Sequence, residues 1–253
     1  MSELDILRKI ENKLEPYIGV IPYFEQEGNA DYLETLKQIK ELGIKKDGLI
    51  LDVGTGFGTM PMALSELSFR VYAIDKKNYL ERSGAAHFFK EYGISFDLVD
   101  VSNEKFPFPD NFFDCVILLN VIEHLDKSPK NYLNEIYRVL KKKGFFILVN
   151  PNFARLDNRV VNILRSSHPL IFEYFYNAEE FEGHIREYIP KEINKMLVRS
   201  GFKLVKTYTI NVANLSYYSS YKKVFRIVIR ILQKIFFFDR YNKERTISIS
   251  IKE

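Results

Sequence analysis

The sequence has 253 residues, of which 46% are apolar, and its formal net charge is +4. This length suits one large α/β domain or a domain with a small appendage, and the apolar content suffices for a core. The modest, dispersed charge argues against a nucleic-acid partner, and the single cysteine excludes an internal disulfide. Residues 1–19 have no continuous apolar leader, and no run of about 18 apolar residues occurs, so we expect a soluble, cytoplasmic α/β protein.

Taken in order, the chain alternates between strand and helix patterns through residue 150. Apolar runs predict strands, all in one sheet, at 48–53, 69–74, 94–99, 113–119, 145–149, 202–210 and 246–251. Helical periodicity and its stop signals predict helices at 1–19, 31–42, 57–67, 77–92, 128–140, 190–200 and 220–238. The alternation indicates parallel strands with right-handed crossovers, and hence an α/β fold.

The alternation of strands and helices divides the chain into a core and segments added to it. Two N-terminal helices occupy residues 1–43, and the core comprises 44–150 and 189–253. The alternation is interrupted at residues 151–188 and 211–242, and we interpret these two segments as insertions into a single domain.

One short stretch organises the core. The apolar run Leu49–Leu51 ends at Asp52, and Gly54, Gly56 and Gly58 follow just before a helical segment. Glycine allows positive φ angles and a close approach of a ligand to the main chain. The stretch therefore indicates a nucleotide-binding corner in an open α/β sheet.

The first three predicted strands each end at an aspartate: Asp52, Asp75 and Asp100. A single aspartate at a strand end is more often a cap for a turn or a helix. Three at one edge, beside a glycine turn, indicate a ligand site instead, because ligands bind at the carboxyl edge of such sheets. Asp75 follows the turn by about 20 residues, the spacing at which a carboxylate accepts hydrogen bonds from a ribose diol.

The residues in this order resemble the class I S-adenosylmethionine-dependent methyltransferases. The resemblance covers roughly residues 40–210 and rests on six ordered elements: 51–58, Asp75, Asp100-Val101, 106–114, 121–125 and 138–144. It implies a Rossmann-like sheet of seven mostly parallel strands with helices on both faces. The last strand would be antiparallel, between the fifth and sixth.

The resemblance also implies S-adenosylmethionine as the cofactor and a set of residues around it. The set comprises Asp52, Gly54, Thr55 and Gly56 at the methionine part, Asp75 at the ribose with Lys76 beside it, Asp100 and Val101 at the adenine, and Asn120 near the sulfonium. Gly58 is expected to permit close helix packing rather than to contact the cofactor.

Two other classes remain open. A nicotinamide-dependent oxidoreductase needs a third glycine where this chain has Thr59, which weakens that alternative. The other is a protein that keeps the cofactor-binding corner but has lost catalysis.

Two histidines are candidates for catalysis. His124 follows the fourth strand, next to Glu123, although a histidine there also packs at a helix start in many proteins. A related metal-binding motif needs Glu where Asn120 stands, so we predict no metal. His184 begins a segment in which His184, Arg186 and Tyr188 alternate, and which lines an acceptor pocket or forms a structural loop.

The identity of the methyl acceptor is not determined by these residues. We expect O-methylation of a small molecule, a glycan or a lipid-linked compound. The insertions 151–188 and 211–242 are expected to form its site or a lid. The helix predicted at 220–238 has one apolar face opposite the basic side chains Lys223, Arg226, Arg230 and Lys234. Such a helix either covers the sheet as a lid or lies on an anionic membrane surface. The sequence says nothing about oligomeric state.

Overall fold

A computed structural model describes residues 1–19, 29–100, 104–164, 176–177, 183–212, 220–235 and 241–253. It contains a sheet of seven strands: β1 (Leu49–Val53), β2 (Arg70–Asp75), β3 (Ser95–Leu98), β4 (Phe113–Leu119), β5 (Leu140–Pro151), β6 (Phe202–Ile210) and β7 (Arg245–Lys252). Their order is β3-β2-β1-β4-β5-β7-β6. Only β7 is antiparallel to its neighbours, β5 and β6, which confirms the predicted fold class.

Helices surround this sheet within the described ranges. They are α1 (Glu3–Ile18), α2 (Ala30–Glu41), α3 (Thr59–Glu66), α4 (Tyr79–Ser83), α5 (His87–Glu91), α6 (Lys130–Val139), α7 (Leu156–Leu164), α8 (Pro190–Arg199) and α9 (Ser220–Ile235). A short 3-10 turn at Ile122–His124 follows β4.

The core lies on both faces of the sheet. Apolar residues of α1 to α5 pack on one face, and those of α6 and α8 pack on the other. The central strands are buried on both sides because each face carries helices, which explains their continuous apolar runs.

Two predicted elements differ from the structure. The helix predicted at 77–92 is two short helices, because Gly84 ends α4 with a left-handed φ of 76°. Strand β5 begins at Leu140 rather than Phe145, so Lys141–Lys143 belong to the strand. Leu140 pairs with Phe113, and the register then shifts before Cys115 pairs with Phe145.

Helices α7 and α9 come from the two insertions and contact each other. Much of the first insertion, and the end of the helix predicted at 220–238, lies outside the described residues. Across the described ranges, none of the helices has both the length and the apolar composition that crossing a bilayer requires.

Candidate active site at the carboxyl edge of the sheet

The loop after β1 is joined directly to the end of β2. The amide nitrogen of Gly56 donates to Oδ2 of Asp75 at 2.8 Å, and that of Lys77 donates to Oδ1 at 3.2 Å. Each carboxylate oxygen can accept more than one hydrogen bond, so Asp75 keeps capacity for a ligand. The predicted corner therefore exists, and its carboxylate is already oriented by main-chain donors.

The three glycines of this loop have positive φ angles but different surroundings. A Cβ atom on Gly54 would lie 2.3 Å from Cγ2 of Val121, and one on Gly58 would lie 2.6 Å from Cε1 of Phe89. Gly54 and Gly58 thus permit close packing, as expected for Gly58. A Cβ atom on Gly56 would meet no atom within 4 Å, so the loop is open toward solvent at this residue.

Two buried carboxylates lie below the loop. Asp52 is 3% exposed and Asp75 is 7% exposed. Burial, and to a smaller extent the nearby charge of Asp75, raises the pKa of Asp52 to about 7, although a hydrogen bond with Thr55 opposes the shift. Burial also raises the pKa of Asp75, although its main-chain donors oppose that shift. Such a pair favours a cationic ligand, because a positive charge stabilises both ionised carboxylates.

The side chain of Tyr132, on α6, belongs to the core on one face of the sheet and lies near Asp52 and Asp75. Its hydroxyl is buried and has no hydrogen-bond partner within the described part of the chain. Burial raises the pKa of Tyr132 well above its ordinary value, and the charges of Asp75, Asp52 and Glu123 add to the effect. A buried hydroxyl left without a partner points to a polar group that the protein binds here.

Asp100 follows β3 at the same edge, where its amide bonds to Oε2 of Glu104 at 3.0 Å. Val101 lies outside the described residues. A shallow cavity of about 330 Å³ adjoins the end of β2, lined by Lys76, Lys77, Asn78, Glu81 and Leu98.

Asn120 follows β4 with a φ of 55°, and its main-chain amide donates to the carbonyl of Val149 at 2.9 Å. Its side-chain Nδ2 donates to Oδ2 of Asp31, which is fully buried on α2, at 2.7 Å. Nε of Arg245 lies 4.0 Å from the same carboxylate oxygen. Asn120 therefore ties α2 to the carboxyl edge of the sheet.

Glu123 is fully buried in the turn after β4, and neither of its carboxylate oxygens has a hydrogen-bond partner among the described residues. Burial raises its pKa to about 7, while the charges of His184 and Arg245 oppose the shift. Its main-chain carbonyl accepts the amides of Ile185 and Arg186, at 2.8 and 3.2 Å. These bonds bring a segment some 60 residues away onto the turn.

The structure places both predicted histidines beside Glu123. The rings of His124 and His184 meet edge to face, with centroids 4.9 Å apart. Nε2 of His184 lies 3.9 Å from Oε1 of Glu123, and its Nδ1 lies 3.0 Å from Oε1 of Glu187. Nδ1 of His124 lies 3.1 Å from the carbonyl oxygen of Gly183.

Arg186 does not join this cluster. Its guanidinium donates to Oε1 of Glu192 at 2.8 Å and stacks on the ring of Tyr188. Instead, Arg155 approaches the cluster, with Nη1 3.6 Å from Oε2 of Glu187. The expected common face of His184, Arg186 and Tyr188 is thus only partly realised.

Glu123, His124 and His184 have ligand-type atoms within 4.8 Å of one another, which is close enough for a small cation. The prediction that no metal binds remains a prediction. A larger cavity, of about 410 Å³, lies at the opposite edge, between residues 42–48 and the starts of β4 and β5. None of the predicted site residues lines it.

Comparison with known proteins indicates the protein family to which this site corresponds. The sequence model of the Methyltransf_11 family, described as a methyltransferase domain, matches residues 51–148. The uncharacterized protein MJ0638 of Methanocaldococcus jannaschii is 34% identical over 54% of either chain. The ubiquinone/menaquinone biosynthesis C-methyltransferase UbiE of Pasteurella multocida is 26% identical over 71% of either chain.

A solved structure extends the likeness to the fold. Phosphoethanolamine N-methyltransferase 2 of Haemonchus contortus, in complex with S-adenosyl-L-methionine, superimposes with a TM-score of 0.61 at 17% identity. The superposition covers 96% of this chain and 60% of the other.

Residues 51–148 thus match a methyltransferase domain, and the match is consistent with the class I S-adenosylmethionine-dependent methyltransferases. Its cofactor is S-adenosyl-L-methionine.

The residues at the carboxyl edge fit this cofactor of the methyltransferase domain. S-adenosylmethionine is cationic at its sulfonium and ammonium groups, and Asp52 and Asp75 are buried carboxylates with raised pKa values. The open side of Gly56 leaves room for a ligand over the loop, and Tyr132 has a buried hydroxyl without a partner.

Sequence reasoning missed three members of this edge: Tyr132, Asp31 and Arg155. Tyr132 lies in an amphipathic helix, where an aromatic residue predicts only core packing. Asp31 contacts Asn120 and Arg155 contacts Glu187, which are pairs of residues far apart in the chain, although Arg155 also pairs with Asp157. The motif around residues 121–125 contains Glu123, but nothing in its spacing indicates a fully buried carboxylate.

Proposed function

We propose that the protein transfers the methyl group of S-adenosylmethionine to an acceptor bound beside Glu123, His124 and His184. The observation that carries this proposal is the buried carboxylate of Glu123, which has no hydrogen-bond partner among the described residues. It lies in the turn after β4, at the same edge as the glycine loop. A buried carboxylate with a pKa near 7 suits a group that removes a proton from an acceptor.

In this proposal the carboxyl edge divides into a cofactor side and an acceptor side. Asp75 accepts the ribose hydroxyls, with Lys76 beside it, and Asp100 with Val101 holds the adenine. Asp52, the loop residues Gly54, Thr55 and Gly56, and Asn120 surround the methionine part. When bound, the cofactor supplies an electrophilic methyl group.

On the acceptor side, Glu123 takes the proton that the acceptor loses as it is methylated. His184 lies within 3.9 Å of Glu123 and is oriented by Glu187, so it can pass that proton toward solvent. His124 closes the other side of the cluster. Orientation of the reactants supplies much of the remaining rate, because methyl transfer is an in-line displacement.

The acceptor we propose carries a removable proton. An alcohol or phenol, giving O-methylation, is the first candidate. A carbon acid is the second, and the likeness to the C-methyltransferase UbiE favours it. The exposed apolar side chains of α9 favour a lipid-linked acceptor over a glycan or a small water-soluble one. The buried single cysteine, Cys115, is consistent with action in the cytoplasm.

Calorimetry with S-adenosylmethionine and with NAD tests the cofactor first. Binding of NAD without any response to S-adenosylmethionine would refute the proposal. Formation of S-adenosylhomocysteine over a panel of alcohols, quinols and lipid-linked glycans then identifies the acceptor class. A protein that binds the cofactor but turns over no acceptor would be a sensor rather than an enzyme.

Once an acceptor is identified, the variant Glu123→Gln tests whether Glu123 removes the proton from that acceptor. We expect kcat to fall by about 100-fold or more, with unchanged affinity for S-adenosylmethionine. The wild-type kcat should rise with pH through about 7 and the variant should lose this rise, because only ionised Glu123 accepts a proton. Glu192→Gln, in the neighbouring segment, is the matched control and should keep full activity. A chelator should leave the rate unchanged, as the predicted absence of a metal requires.

A further inference from the structure

Helix α9 turns its apolar side away from the protein. Val224, Ile231 and Ile235 are 60%, 53% and 59% exposed, and Ile227 and Val228 are exposed as well. These five positions recur at helical spacing and form one continuous strip along the helix. We refer to Val224, Ile227, Val228, Ile231 and Ile235 as the outer strip.

Polar contacts on the opposite side hold the helix in this orientation. Arg226 donates a hydrogen bond to the carboxylate of Glu244. Gln233, which is 7% exposed, donates to the carbonyl of Asn242 at 3.0 Å and accepts from Nδ2 of Asn211 at 2.9 Å. Turning the outer strip inward would break these bonds and leave buried polar groups without partners. In the described residues, the outer strip of α9 is therefore exposed and does not pack on the sheet.

An exposed apolar strip indicates a surface that a binding partner covers, because its contact with water is unfavourable. The charge of the helix indicates which kind of partner this is. Residues 220–235 contain no Asp or Glu, and their basic residues are Lys222, Lys223, Arg226, Arg230 and Lys234. At about 100° per residue, Lys223 and Lys234 lie within about 20° of each other, along one flank of the outer strip.

We propose that α9 lies in the plane of a membrane surface that contains anionic lipids. The outer strip enters the boundary between headgroups and acyl chains, and the exposed ammonium groups of Lys223 and Lys234 remain at the phosphate level. A second copy of this chain would bring two strongly basic helices together, so the charges favour a lipid surface over self-association.

The contacts that hold α9 on the protein also determine where the membrane would lie relative to the proposed acceptor site. Glu244 and Asn242, which hold the helix, bond through their carbonyls to the amides of Asn152 and Leu156, just after β5. Asn152 in turn bridges to Tyr188, next to the segment that carries His184. The membrane-facing helix therefore lies at the same sheet edge as the acceptor cluster. A lipid-linked acceptor would reach Glu123 from the membrane, a step that rests on the proposed function.

The membrane contact itself is tested without turnover. The full chain is sedimented with vesicles of phosphatidylcholine alone and of phosphatidylcholine mixed with phosphatidylglycerol. We expect at least tenfold tighter binding to the mixed vesicles, weakened by added salt. Val228→Asp should reduce binding at least tenfold. Its matched control is Val198→Asp, which alters an even more exposed valine on α8 and should bind like wild type.

The charge requirement is tested separately. The double variant Lys223→Gln/Lys234→Gln should bind mixed vesicles several-fold more weakly, and Lys191→Gln/Lys195→Gln on α8 should not. Calorimetry with S-adenosylmethionine on each variant shows that it is folded. That measurement also separates a failure of this proposal from a failure of the proposed function.

Three outcomes would overturn the proposal. One is a wild-type protein that stays in the supernatant with mixed vesicles. Another is equal pelleting of Val228→Asp and wild type. The third is a dimer in analytical ultracentrifugation that Val228→Asp dissociates while vesicles do not compete, because a second copy would then cover the outer strip.

Discussion

The amide nitrogen of Gly56 donates to Oδ2 of Asp75 at 2.8 Å, so the loop after β1 is fastened to the end of β2. This bond couples two parts of the cofactor site that lie about 20 residues apart in the sequence. A change at Asp75 therefore removes the anchor of the glycine loop and, in the proposed function, the acceptor of the ribose hydroxyls.

Asp75→Ala should weaken S-adenosylmethionine binding at least tenfold, or on the order of 1.4 kcal/mol, because charged hydrogen bonds are lost. Isothermal titration calorimetry measures the change. Asp97→Ala, which removes an exposed carboxylate from β3, should bind the cofactor like wild type. An unaltered affinity in Asp75→Ala would refute its assignment to the ribose.

Gly54 and Gly56 both have left-handed φ angles, of 77° and 52°, but should respond differently to alanine. In Gly54→Ala the new methyl group would collide with Val121, so the free energy of unfolding should fall by about 2 kcal/mol or more. In Gly56→Ala the space is open, and only the backbone strain, about 1 kcal/mol, remains.

Cofactor affinity should also distinguish these two variants, and here the larger specific effect is expected for Gly56→Ala. The methyl group of Gly56→Ala would occupy the open side of the loop, so binding should weaken more than the small loss of stability explains. Urea unfolding and calorimetry on both variants measure the two quantities. Full cofactor affinity in a folded Gly56→Ala protein would exclude close contact between the ligand and this residue.

Binding of the cationic cofactor should depend on pH through Asp52. Its pKa is raised from an ordinary 3.8 to about 7, so the carboxyl is mostly protonated at pH 6. A positive ligand favours the ionised form, and affinity should therefore fall as pH drops below 7, by up to about tenfold per unit. Calorimetry at pH 6, 7 and 8 measures this.

The variant Asp52→Asn provides the control for that dependence. It should bind more weakly than wild type at pH 8 and lose most of the pH dependence, because no carboxyl remains to titrate. A wild-type affinity that is level between pH 6 and pH 8 would show that Asp52 is not coupled to the ligand.

The sequence predicted the sheet well because strand propensity and burial agree along it. β4 and β6 lie at the predicted bounds, and β7 is antiparallel as expected. The prediction was wrong where a single residue overrides a pattern: Gly84 divides a helix whose apolar spacing continues through it. The orientation of α9 could not be predicted either, because amphipathicity defines two faces of a helix but not which one meets the protein.

The candidate site was predictable only where its residues belong to one local motif. The glycine loop and the three strand-end aspartates are such residues, and the structure places Asp52, Asp75 and Asp100 at one edge. The environment of Glu123 could not be predicted, since its burial depends on a segment some 60 residues later in the chain. Tyr132 likewise comes near Asp52 and Asp75 only because α6 packs on the sheet.

The burial of Glu123 should cost stability at neutral pH. Its pKa is raised from 4.5 to about 7, so the folded state holds a proton more tightly than the unfolded chain does. The unfolded chain ionises first as pH rises, and stability should fall between pH 4.5 and 7, by on the order of 3 kcal/mol. Glu123→Gln cannot ionise, so it should gain stability relative to wild type across this range.

Urea unfolding of wild type and Glu123→Gln at pH 5 and pH 8 tests this. The advantage of the variant should be small at pH 5 and clear at pH 8. Glu15→Gln, at an exposed position of α1, should show the same difference from wild type at both pH values. If Glu123→Gln behaved like this control, Glu123 would be ionised at pH 5 already and could not gain its charge near pH 7. A stability gain at pH 8 that accompanies loss of turnover would instead show that the protein keeps a destabilising buried carboxylate for its chemistry.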